Sequence, residues 1–250
     1  QRDFSQILQC GSVVTDSFFN SIAEQDIGCA PLPWAIPTPM AMLTNKKTHL
    51  FNSNTSHYEM ILDLQRQWKQ WTLDNPGIFI SYNGHSFDEE LVRRQFFWNL
   101  LEPYTTNTNG NGRLDLMLMM HNVACFFPEA INIPLFEDGP KISLKLEHIA
   151  RANDVSADDA HDAIADCNLM IDVTKKISDV IPDVFQSFLN ISTKPGVMNL
   201  LNSDGFLALG EVFRRQMFRY PVVWCGSDPV RPNEIVSFDL SFDDPEEILE

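Results

Sequence analysis

Two residues, His161 and Asp166, are of types that together could activate water beside a metal ion. Asp166 shares a helical stripe with the apolar residues Met170, Val173 and Ile177. A carboxylate on an inward stripe costs several kcal/mol unless its charge is compensated, and a metal ion is one way to compensate it. A neutral imidazole beside that carboxylate suits the abstraction of a proton from water. His161 would share the face of Asp166 only from the turn that precedes the helix.

The same segment also has a purely structural interpretation. Asp158, Asp159 and Asp162 precede the apolar stripe, and acidic side chains are favoured near the positive N-terminal end of a helix dipole. Considered alone, the segment leaves open whether its acidic residues bind a metal or only begin a helix.

A second carboxylate, Asp88, follows the apolar run at residues 78–82, which is typical of a short buried strand. In the helix predicted next, Asp88 heads a stripe that continues at Val92, Phe96 and Leu100. An aspartate at this place could cap the helix. Its position just beyond the C-terminal end of a buried strand is also where open α/β sheets bind their ligands.

The elements that must position these side chains alternate between strands and helices, which predicts an α/β fold. They are a strand at 5–14, an extended proline-rich segment at 29–39, a helix at 58–71, a strand at 78–82, a helix at 88–101, a polar loop at 105–112, a buried helix at 114–127, an irregular loop at 129–141, a helix at 143–153 and a long helix that ends near 181. We expect Ser143 to cap the helix at 143–153, Asn153 to end it in the left-handed conformation, and His121 to be a satisfied core histidine.

A second module follows, in which short strands alternate with turns. Helical character continues over residues 183–201, with a break expected at 194–196. The strands are predicted at 206–209, 222–224 and 235–240. The sequence therefore predicts two domains, at residues 1–190 and 191–250.

The composition is that of an ordinary globular protein, with 44% hydrophobic and 21% charged residues. No apolar run reaches the roughly 18 residues of a membrane span, so we expect no membrane association. The five cysteines are scattered without a paired zinc pattern. Reduced thiols and a cytoplasmic location are therefore expected.

The net charge of −16 is unfavourable for nucleic-acid binding, which usually leaves a basic footprint. Metal-dependent nucleases nevertheless concentrate carboxylates, and a local basic channel can lie on an acidic protein. The charge lowers the expectation of nucleic-acid binding without excluding it.

Carboxylates without cysteine ligands suit hard cations such as Mg²⁺ or Mn²⁺. Two such ions about 4 Å apart could hold the attacking and leaving oxygens of a phosphodiester in line. Asp88 and Asp166 are too few for that task, and such a site lacks about two oxygen donors.

The motifs around both aspartates resemble those of the DEDD superfamily of 3′–5′ exonucleases. Asn83, Phe87 and Asp88 match its Asn-x-x-x-Phe-Asp motif, and His161 with Asp166 matches the third motif of its histidine subtype. Longer runs are similar to the exonuclease I family of bacteria within that superfamily, at residues 81–104, 113–116, 146–166 and 210–224. Both motifs in order, with matching flanks, make the resemblance specific.

The resemblance implies a ribonuclease H-like exonuclease domain, with a mixed central sheet flanked by helices, followed by an SH3-like β-barrel domain. It also implies the hydrolysis of single-stranded DNA from its 3′ end to nucleoside monophosphates with two Mg²⁺ or Mn²⁺ ions. Asp88 and Asp166 would hold metal, and His161 would act as the general base. Asn83 and Phe87 would shape the substrate site. The implied protein is a monomer whose partners are single-stranded DNA and single-strand DNA-binding protein.

The superfamily's first motif, Asp-x-Glu on the first strand, does not occur ahead of the strand at 5–14, which resembles the family's second strand. Either the sequence is truncated just upstream or the protein has lost its metal site, and the abrupt start favours truncation. The family's C-terminal helical domain is also missing. We expect the 250-residue chain alone to be nearly inactive.

Residues 213–220 alternate cations with aromatic side chains, as a track for single-stranded nucleic acid requires. Arg214, Arg215 and Phe218 are the candidates for substrate contacts in this segment. The alternative interpretation is an edge strand with a solvated basic face.

Two other functions stay open. One is an oligoribonuclease-type 3′–5′ exoribonuclease, and the other is a catalytically silent nucleic-acid-binding module that lacks the first Asp-x-Glu. The β-rich module favours DNA over RNA, because small RNA-trimming relatives consist of little beyond the exonuclease domain.

Overall fold

The computed structural model describes residues 6–39, 43, 46–136, 141–156, 162–203, 205–231 and 233–241. Its elements are β1 (Gln9–Thr15), β2 (Ser21–Gly28), α1 (His57–Trp71), β3 (Ile78–Ser81), α2 (Asp88–Trp98), β4 (Gly112–Asp115), α3 (Leu116–Phe126), α4 (Leu146–Ala152), α5 (Ala163–Val180), α6 (Pro182–Asn190), α7 (Lys194–Ser203), β5 (Leu207–Phe213), β6 (Gln216–Ser227) and β7 (Ile235–Asp239). Among these residues, no helix is both long and apolar enough to cross a bilayer.

β1 and β2 form an antiparallel hairpin. The strand predicted at 5–14 is confirmed from Gln9 onward, but residues 6–8 precede β1. β2 was not predicted. Glu24 and Asp26 lie on its exposed face and interrupt the apolar pattern that strand prediction depends on.

α1 begins within one residue of its predicted start because a capping box fixes it. The Ser56 side chain accepts a hydrogen bond from the Glu59 backbone N–H at 3.2 Å, and the Glu59 carboxylate accepts one from the Ser56 backbone N–H at 2.8 Å. The buried face of α1 packs against that of α2, in a cluster formed by Ile61, Leu64, Trp68, Val92 and Phe96.

β3 and β4 pair in parallel, with Ser81 opposite Asp115. The predicted strand at 78–82 is confirmed, but the prediction that it is buried is wrong. Ile78 and Ile80 are 38% and 36% exposed. The described chain places a partner strand on one edge of β3 only.

α2 carries its predicted apolar stripe only in part. Val92 and Phe96 are buried, but Leu100 is 95% exposed. The helix ends at Trp98, and Leu100 lies beyond it with a left-handed φ of 59°. The helix predicted for 88–101 is therefore about one turn too long.

The main core lies where α3, α4, α5 and α6 meet. It is formed by Leu116, Met119, Met120, Val123, Ala130, Ile131, Ile149, Ala150, Val155, Leu169, Val173, Ile177 and Phe185. The buried helix predicted at 114–127 is corrected at its start, because residues 112–115 form β4 before α3 begins. The apolar side chains of strand and helix follow one another without a break, so the sequence pattern does not separate them.

Both ends of α4 differ from the prediction. Lys145 is the N-cap residue, and the Ser143 hydroxyl lies 2.8 Å from Nδ1 of His148 instead of capping the helix. Asn153 has a φ of −119°, whereas the next residue, Asp154, takes the left-handed φ of 57°.

α6 and α7 continue the helical character predicted after residue 182. The break predicted at 194–196 is wrong, since α7 begins at Lys194. Pro195 fits there because the first turn of a helix does not require its N–H.

β5, β6 and β7 form a three-stranded antiparallel sheet in that order. This sheet lies against α3. The Asn122 amide oxygen accepts a hydrogen bond from the Gly210 N–H at 2.9 Å, and His121 Nδ1 accepts one from the Val212 N–H at 3.3 Å. His121 is satisfied as predicted, but it is half-buried and not part of the core. The SH3-like character of the sheet stays a prediction.

Candidate active site

Asp166 lies in the first turn of α5, on the face that continues into the core. Val173 and Ile177 on the same stripe are fully buried. The candidate general base His161, together with Asp158 and Asp159, lies outside the described residues. Asp166 therefore occupies the inward stripe that its spacing predicts.

The start of α5 is held by Asp162. Its side chain accepts a hydrogen bond from the Ile164 backbone N–H at 3.2 Å and also pairs with the Lys47 ammonium. This pairing lowers the pKa of Asp162, with burial opposing the effect of Lys47. Of the three aspartates predicted to begin the helix, Asp162 is confirmed in that role.

Gly11 of β1 sets the distance between this helix and the hairpin. A Cβ at position 11 would lie 2.7 Å from the backbone carbon of Ala163 and 2.9 Å from its Cβ. Only glycine permits this approach without a shift of the helix. The backbone of β1 therefore fixes the position of the α5 N-terminus, three residues before Asp166.

Asp88 is the first residue of α2 and does not cap it. The N-cap position belongs to Phe87, which makes no side-chain capping bond. Desolvation by surrounding protein atoms raises the pKa of Asp88, and the charges of Glu89 and Asp115 add to the rise. Asp88 is therefore a partly desolvated carboxylate at the start of α2, in the segment that follows β3, and it does not act as a helix cap.

The charges of Asp88 and Asp166 both reach the thiol of Cys167. Burial raises the pKa of Cys167 to about 11, and the charges of Asp166, Asp26 and Asp88 add to that rise, in decreasing order. The two carboxylates predicted from sequence therefore both raise the pKa of this thiol, although 78 positions separate them in the chain (166 − 88).

Asp115, a residue without an assigned role in the sequence interpretation, organises the loop before Asp88. It is 3% exposed. Its carboxylate accepts hydrogen bonds from the backbone N–H groups of Asn83 at 2.8 Å, His85 at 3.1 Å and Met117 at 3.0 Å. Asn83 itself takes a left-handed φ of 60°, which asparagine tolerates better than most residues.

A cavity of about 1550 Å³ opens between β1, β3, α2 and α5. Its lining includes five of the predicted site residues, namely Asn83, Phe87, Asp88, Asp166 and Arg215. Two further cations, Lys47 and Lys145, also line it. Glu89 and Glu147 line the cavity as well, and Lys47 and Lys145 pair with Asp162 and Glu147. The local basic channel expected from the sequence therefore stays a prediction.

Arg215 reaches this cavity from the second module. Together with Arg214 it forms the two-residue turn between β5 and β6, in which both arginines have positive φ. Such a turn matches the twist of its flanking strands. The Arg215 guanidinium lies 4.0 Å from the ring centroid of Phe136. The backbone carbonyl of Arg215 accepts a hydrogen bond from the Ile142 N–H at 3.0 Å. These contacts hold the turn against Phe136 and Ile142 of the first predicted domain.

Arg214 and Phe218 do not line the cavity. The Arg214 guanidinium lies 5.2 Å from the ring centroid of Phe213, and the ring of Phe218 stacks on Tyr220 at 6.4 Å. β6 pairs with β7 only from Val222 onward, so residues 216–220 have one edge without a partner strand in the described chain. The predicted alternation of cations and aromatic rings therefore lies on a surface ribbon that leads to the cavity through Arg215.

Asp88 and Asp166 fit a hard divalent cation in chemical kind, since both supply carboxylate oxygens. They are too few to hold it alone. In the part of the chain that the structure describes, no three His, Cys, Asp or Glu side chains are arranged to hold an ion. The Cys167 thiol is a soft donor, whereas hard cations prefer oxygen ligands. A two-ion site would need further oxygen donors besides this pair.

No protein-family profile matches the chain. Exodeoxyribonuclease I of Escherichia coli (strain K12) is 30% identical over 200 residues, which cover 78% of this chain and 41% of that protein. Exodeoxyribonuclease I of Buchnera aphidicola subsp. Baizongia pistaciae (strain Bp) is 29% identical over 248 residues, which cover 94% of this chain and 50% of that protein.

Solved structures agree with these relatives. E. coli exonuclease I in complex with a dT13 oligonucleotide matches at a TM-score of 0.82 and 25% identity, over 99% of this chain and 55% of that one. The chain is similar to bacterial exonuclease I over almost its whole length. A moderately thermophilic exonuclease I from Methylocaldum szegediense matches at a TM-score of 0.80 and 28% identity, over 96% of this chain and 51% of that one.

The similarity to exonuclease I confirms the family resemblance and the α/β exonuclease fold predicted from the two motifs. The chain spans about half the length of the exonuclease I relatives that it matches. The roles of individual site residues and the boundary between the two domains stay predictions.

Proposed function

We propose that the chain forms the catalytic part of a metal-dependent 3′–5′ exodeoxyribonuclease, which degrades single-stranded DNA to nucleoside monophosphates. The observation that carries the proposal is that Asp88, Asp166 and Arg215 line the same cavity. The names of the relatives support it, since each is an exodeoxyribonuclease I.

In this proposal Asp88 and Asp166 hold Mg²⁺ or Mn²⁺ ions, two per complete site. When bound, such ions supply Lewis-acid polarisation of the scissile phosphate. A bound cation would also offset the desolvation and the neighbouring negative charge that raise the pKa of Asp88. For one similar protein, E. coli exonuclease I, a zinc-bound form has been solved with single-stranded DNA.

His161 acts as the general base in this proposal. It would accept the proton of the attacking water, for which a neutral imidazole near its ordinary pKa is suited. Its place in the chain, immediately before the N-cap Asp162, supports the role because Asp166 follows within the first turn of α5.

Asn83 and Phe87 shape the substrate site in the proposal. Both line the cavity, and Asp115 fixes the backbone of the loop that carries them. Arg215 contacts the DNA phosphates at the cavity. Arg214 and Phe218 extend the contact along the β5–β6 ribbon, where a stacked aromatic pair and an arginine are exposed.

Single-stranded DNA is the proposed substrate in preference to RNA. E. coli exonuclease I has been solved with dT13 and dA16 oligonucleotides, and also with an SSB C-terminal peptide. We therefore propose single-strand DNA-binding protein as a second partner. We also propose an exonuclease domain at residues 1–190, an SH3-like domain that begins at 191, and a cytoplasmic monomer.

The deciding experiment follows the shortening of a 5′-labelled DNA oligonucleotide by the longest native protein that carries this sequence. With Mg²⁺, Asp88→Asn and Asp166→Asn should each lose at least about a hundredfold in rate, since each removes a ligand of the ions. Asp172→Asn is the matched control, because Asp172 lies on the exposed side of the same helix as Asp166. Unchanged rates in both site variants would exclude hydrolysis at this site.

A competition between DNA and RNA oligonucleotides of equal length separates the two substrate hypotheses. Preferential shortening of RNA would replace the proposed substrate. Tight binding of DNA without shortening, in the presence of Mg²⁺ or Mn²⁺, would identify a silent binding module.

A further inference from the structure

The start of α5 is held against the β1–β2 hairpin at Gly11 and again through Lys47. At Gly11, a Cβ would lie 2.7 Å from the backbone carbon of Ala163. The Lys47 ammonium pairs with the carboxylate of Asp162, the N-cap residue of α5, although 115 positions separate the two in the chain. A helix that meets a strand at one place can still pivot about that contact, and a second contact restricts this motion.

The backbone of Lys47 is fixed by a short 3₁₀ helix, Thr48–Asn52, for which it is the N-cap residue. The Lys47 carbonyl accepts a hydrogen bond from the Leu50 N–H at 3.2 Å. Leu50 is 8% exposed and lies against the end of β2, since a Cβ on Gly28 would lie 2.7 Å from Leu50 Cδ2. The hairpin therefore determines the place from which the Lys47 side chain reaches Asp162.

Asp162 binds Lys47 and α5 with different atoms. Its Oδ1 accepts a hydrogen bond from the Ile164 N–H at 3.2 Å, whereas its Oδ2 pairs with the Lys47 ammonium. Its backbone carbonyl accepts a hydrogen bond from the Asp166 N–H at 2.9 Å. Lys47 is thus linked to Asp166 through one intervening residue.

The exposure of this ion pair argues against a main role in stability. The side chains of Lys47 and Asp162 are 21% and 41% exposed, and part-exposed ion pairs contribute little to the free energy of folding. Lys47 also lines the cavity that Asp88 and Asp166 line. Its effect is therefore expected at the cavity, where the position of a carboxylate determines how well an ion is held.

We propose that Lys47 is a positioning residue for Asp166. By binding Asp162 it prevents the start of α5 from pivoting about Gly11, and so holds Asp166 in the orientation that an ion requires. The inference rests on the proposed function, which assigns metal binding to Asp166. Groups that orient metal ligands from outside the ligand set contribute about 10–100-fold in metal affinity or activity.

The test compares variants of the longest native protein that carries this sequence. Lys47→Met keeps the aliphatic stem of lysine and removes its charge. Asp162→Asn keeps a good N-cap residue, but its amide would turn a donor toward the Lys47 ammonium. Lys47→Arg retains the charge. Lys175→Met is the matched control, because Lys175 lies on the exposed side of α5.

We expect Lys47→Met and Asp162→Asn each to lower kcat at least about tenfold with Mg²⁺, and to change KM for a DNA oligonucleotide less than about twofold. Because both variants remove the same contact, the double variant should be no slower than either single variant. Lys47→Arg should recover most of the rate, and Lys175→Met should lose none.

Amide exchange tests the same contact without hydrolysis. The Asp166 N–H should exchange with deuterium at least about threefold faster in Lys47→Met than in Lys175→Met, while amides near the C-terminal end of α5 stay unchanged. Faster exchange in a protein that never shortens DNA would keep the contact and refute the proposed hydrolysis. Faster exchange with an unchanged kcat, in a protein that does shorten DNA, would reduce Lys47 to a structural contact and overturn the positioning role.

A direct contact between Lys47 and a DNA phosphate is the competing outcome. It would lower the slope of log affinity against log salt by about 0.7 in Lys47→Met and leave Asp162→Asn at the full rate. Additive losses in the two single variants would likewise overturn the positioning role, and so would unchanged exchange of the Asp166 N–H in Lys47→Met.

Discussion

The buried carboxylate of Asp115 accepts a hydrogen bond from the backbone N–H of Asn83 at 2.8 Å, across the C-terminal ends of β4 and β3. A second bond, from the His85 N–H at 3.1 Å, fixes the same loop. The strand pairing Ser81 to Asp115 aligns the acceptor with the loop. Through these bonds, the end of one strand determines where the loop that leads to Asp88 lies.

Asp115→Asn should disturb this loop more selectively than Asp115→Ala. Oδ1 accepts from Asn83 and Met117, so asparagine can keep those bonds, but its amide would turn a donor toward the His85 N–H. We expect a loss of about 1–3 kcal/mol in unfolding free energy for asparagine, and about 3 kcal/mol or more for alanine. Urea unfolding and exonuclease rates measure the two effects. Asp172→Asn, on the exposed face of α5, is the control, and equal stability of all three variants would contradict this role of Asp115.

Gly11→Ala should move the N-terminus of α5 away from β1. The new Cβ would lie 2.7 Å from the backbone carbon of Ala163, which cannot give way as a flexible side chain could. Such overpacking costs about 1–3 kcal/mol, and the accompanying shift of Asp166 should lower the exonuclease rate in the native protein. Gly205→Ala is the matched control, because a Cβ there meets nothing within 4 Å. A Gly11→Ala protein as stable and active as this control would show that the contact does not position the helix.

The inward position of Asp166 could be predicted because it depends on one helix alone. Helical spacing connects it to Val173 and Ile177, and both are fully buried. The same argument placed Leu100 wrongly, since it cannot tell where α2 ends. Local periodicity thus determined which face a residue occupies, but not the length of the element.

Asp115 could not be found by such an argument. Its partners Asn83 and His85 lie 32 and 30 positions earlier in the chain, and only the pairing of β3 with β4 brings them together. The apolar residues of α3 follow β4 immediately, so the sequence pattern did not separate the strand from the helix. The role of Asp115 at the end of that strand was therefore not predicted.

Arg215→Ala should weaken the binding of single-stranded DNA and make it less dependent on salt. Arg215 lines the cavity and lies over the ring of Phe136, so one phosphate contact and one stacking surface would be lost. The slope of log affinity against log salt should decrease by about 0.7. Titrations of labelled oligonucleotide at several salt concentrations measure it.

Arg66→Ala is the matched control for that titration, because it removes an exposed arginine from α1 and changes the net charge by the same amount as Arg215→Ala. Its salt slope should stay that of the unchanged protein. If Arg66→Ala and Arg215→Ala lowered affinity equally, the effect would be one of overall charge, and Arg215 would have no specific contact with DNA.

The stability of the fold should decrease as the pH falls through about 6.5, and His57 should contribute to that decrease. His57 is 5% exposed, and its Nε2 lies 2.6 Å from the Gln95 amide oxygen. Burial lowers its pKa in the folded state, with the Gln95 hydrogen bond opposing the effect. Below the unfolded-state pKa of about 6.5, the unfolded chain therefore takes up a proton that the folded chain resists, and the free energy of unfolding decreases by at most about 1.4 kcal/mol per pH unit.

His57→Gln keeps an amide near Gln95 but cannot be protonated, so its unfolding free energy should fall less steeply between pH 7 and pH 5. Urea unfolding at a series of pH values measures the difference. At pH 8 histidine is neutral in both states, so the two proteins should then differ only by the altered contact. Parallel pH profiles for the two proteins would show that the folded chain accommodates the charged imidazole, contrary to the burial of His57 beneath Trp98, whose ring centroid lies 5.5 Å away.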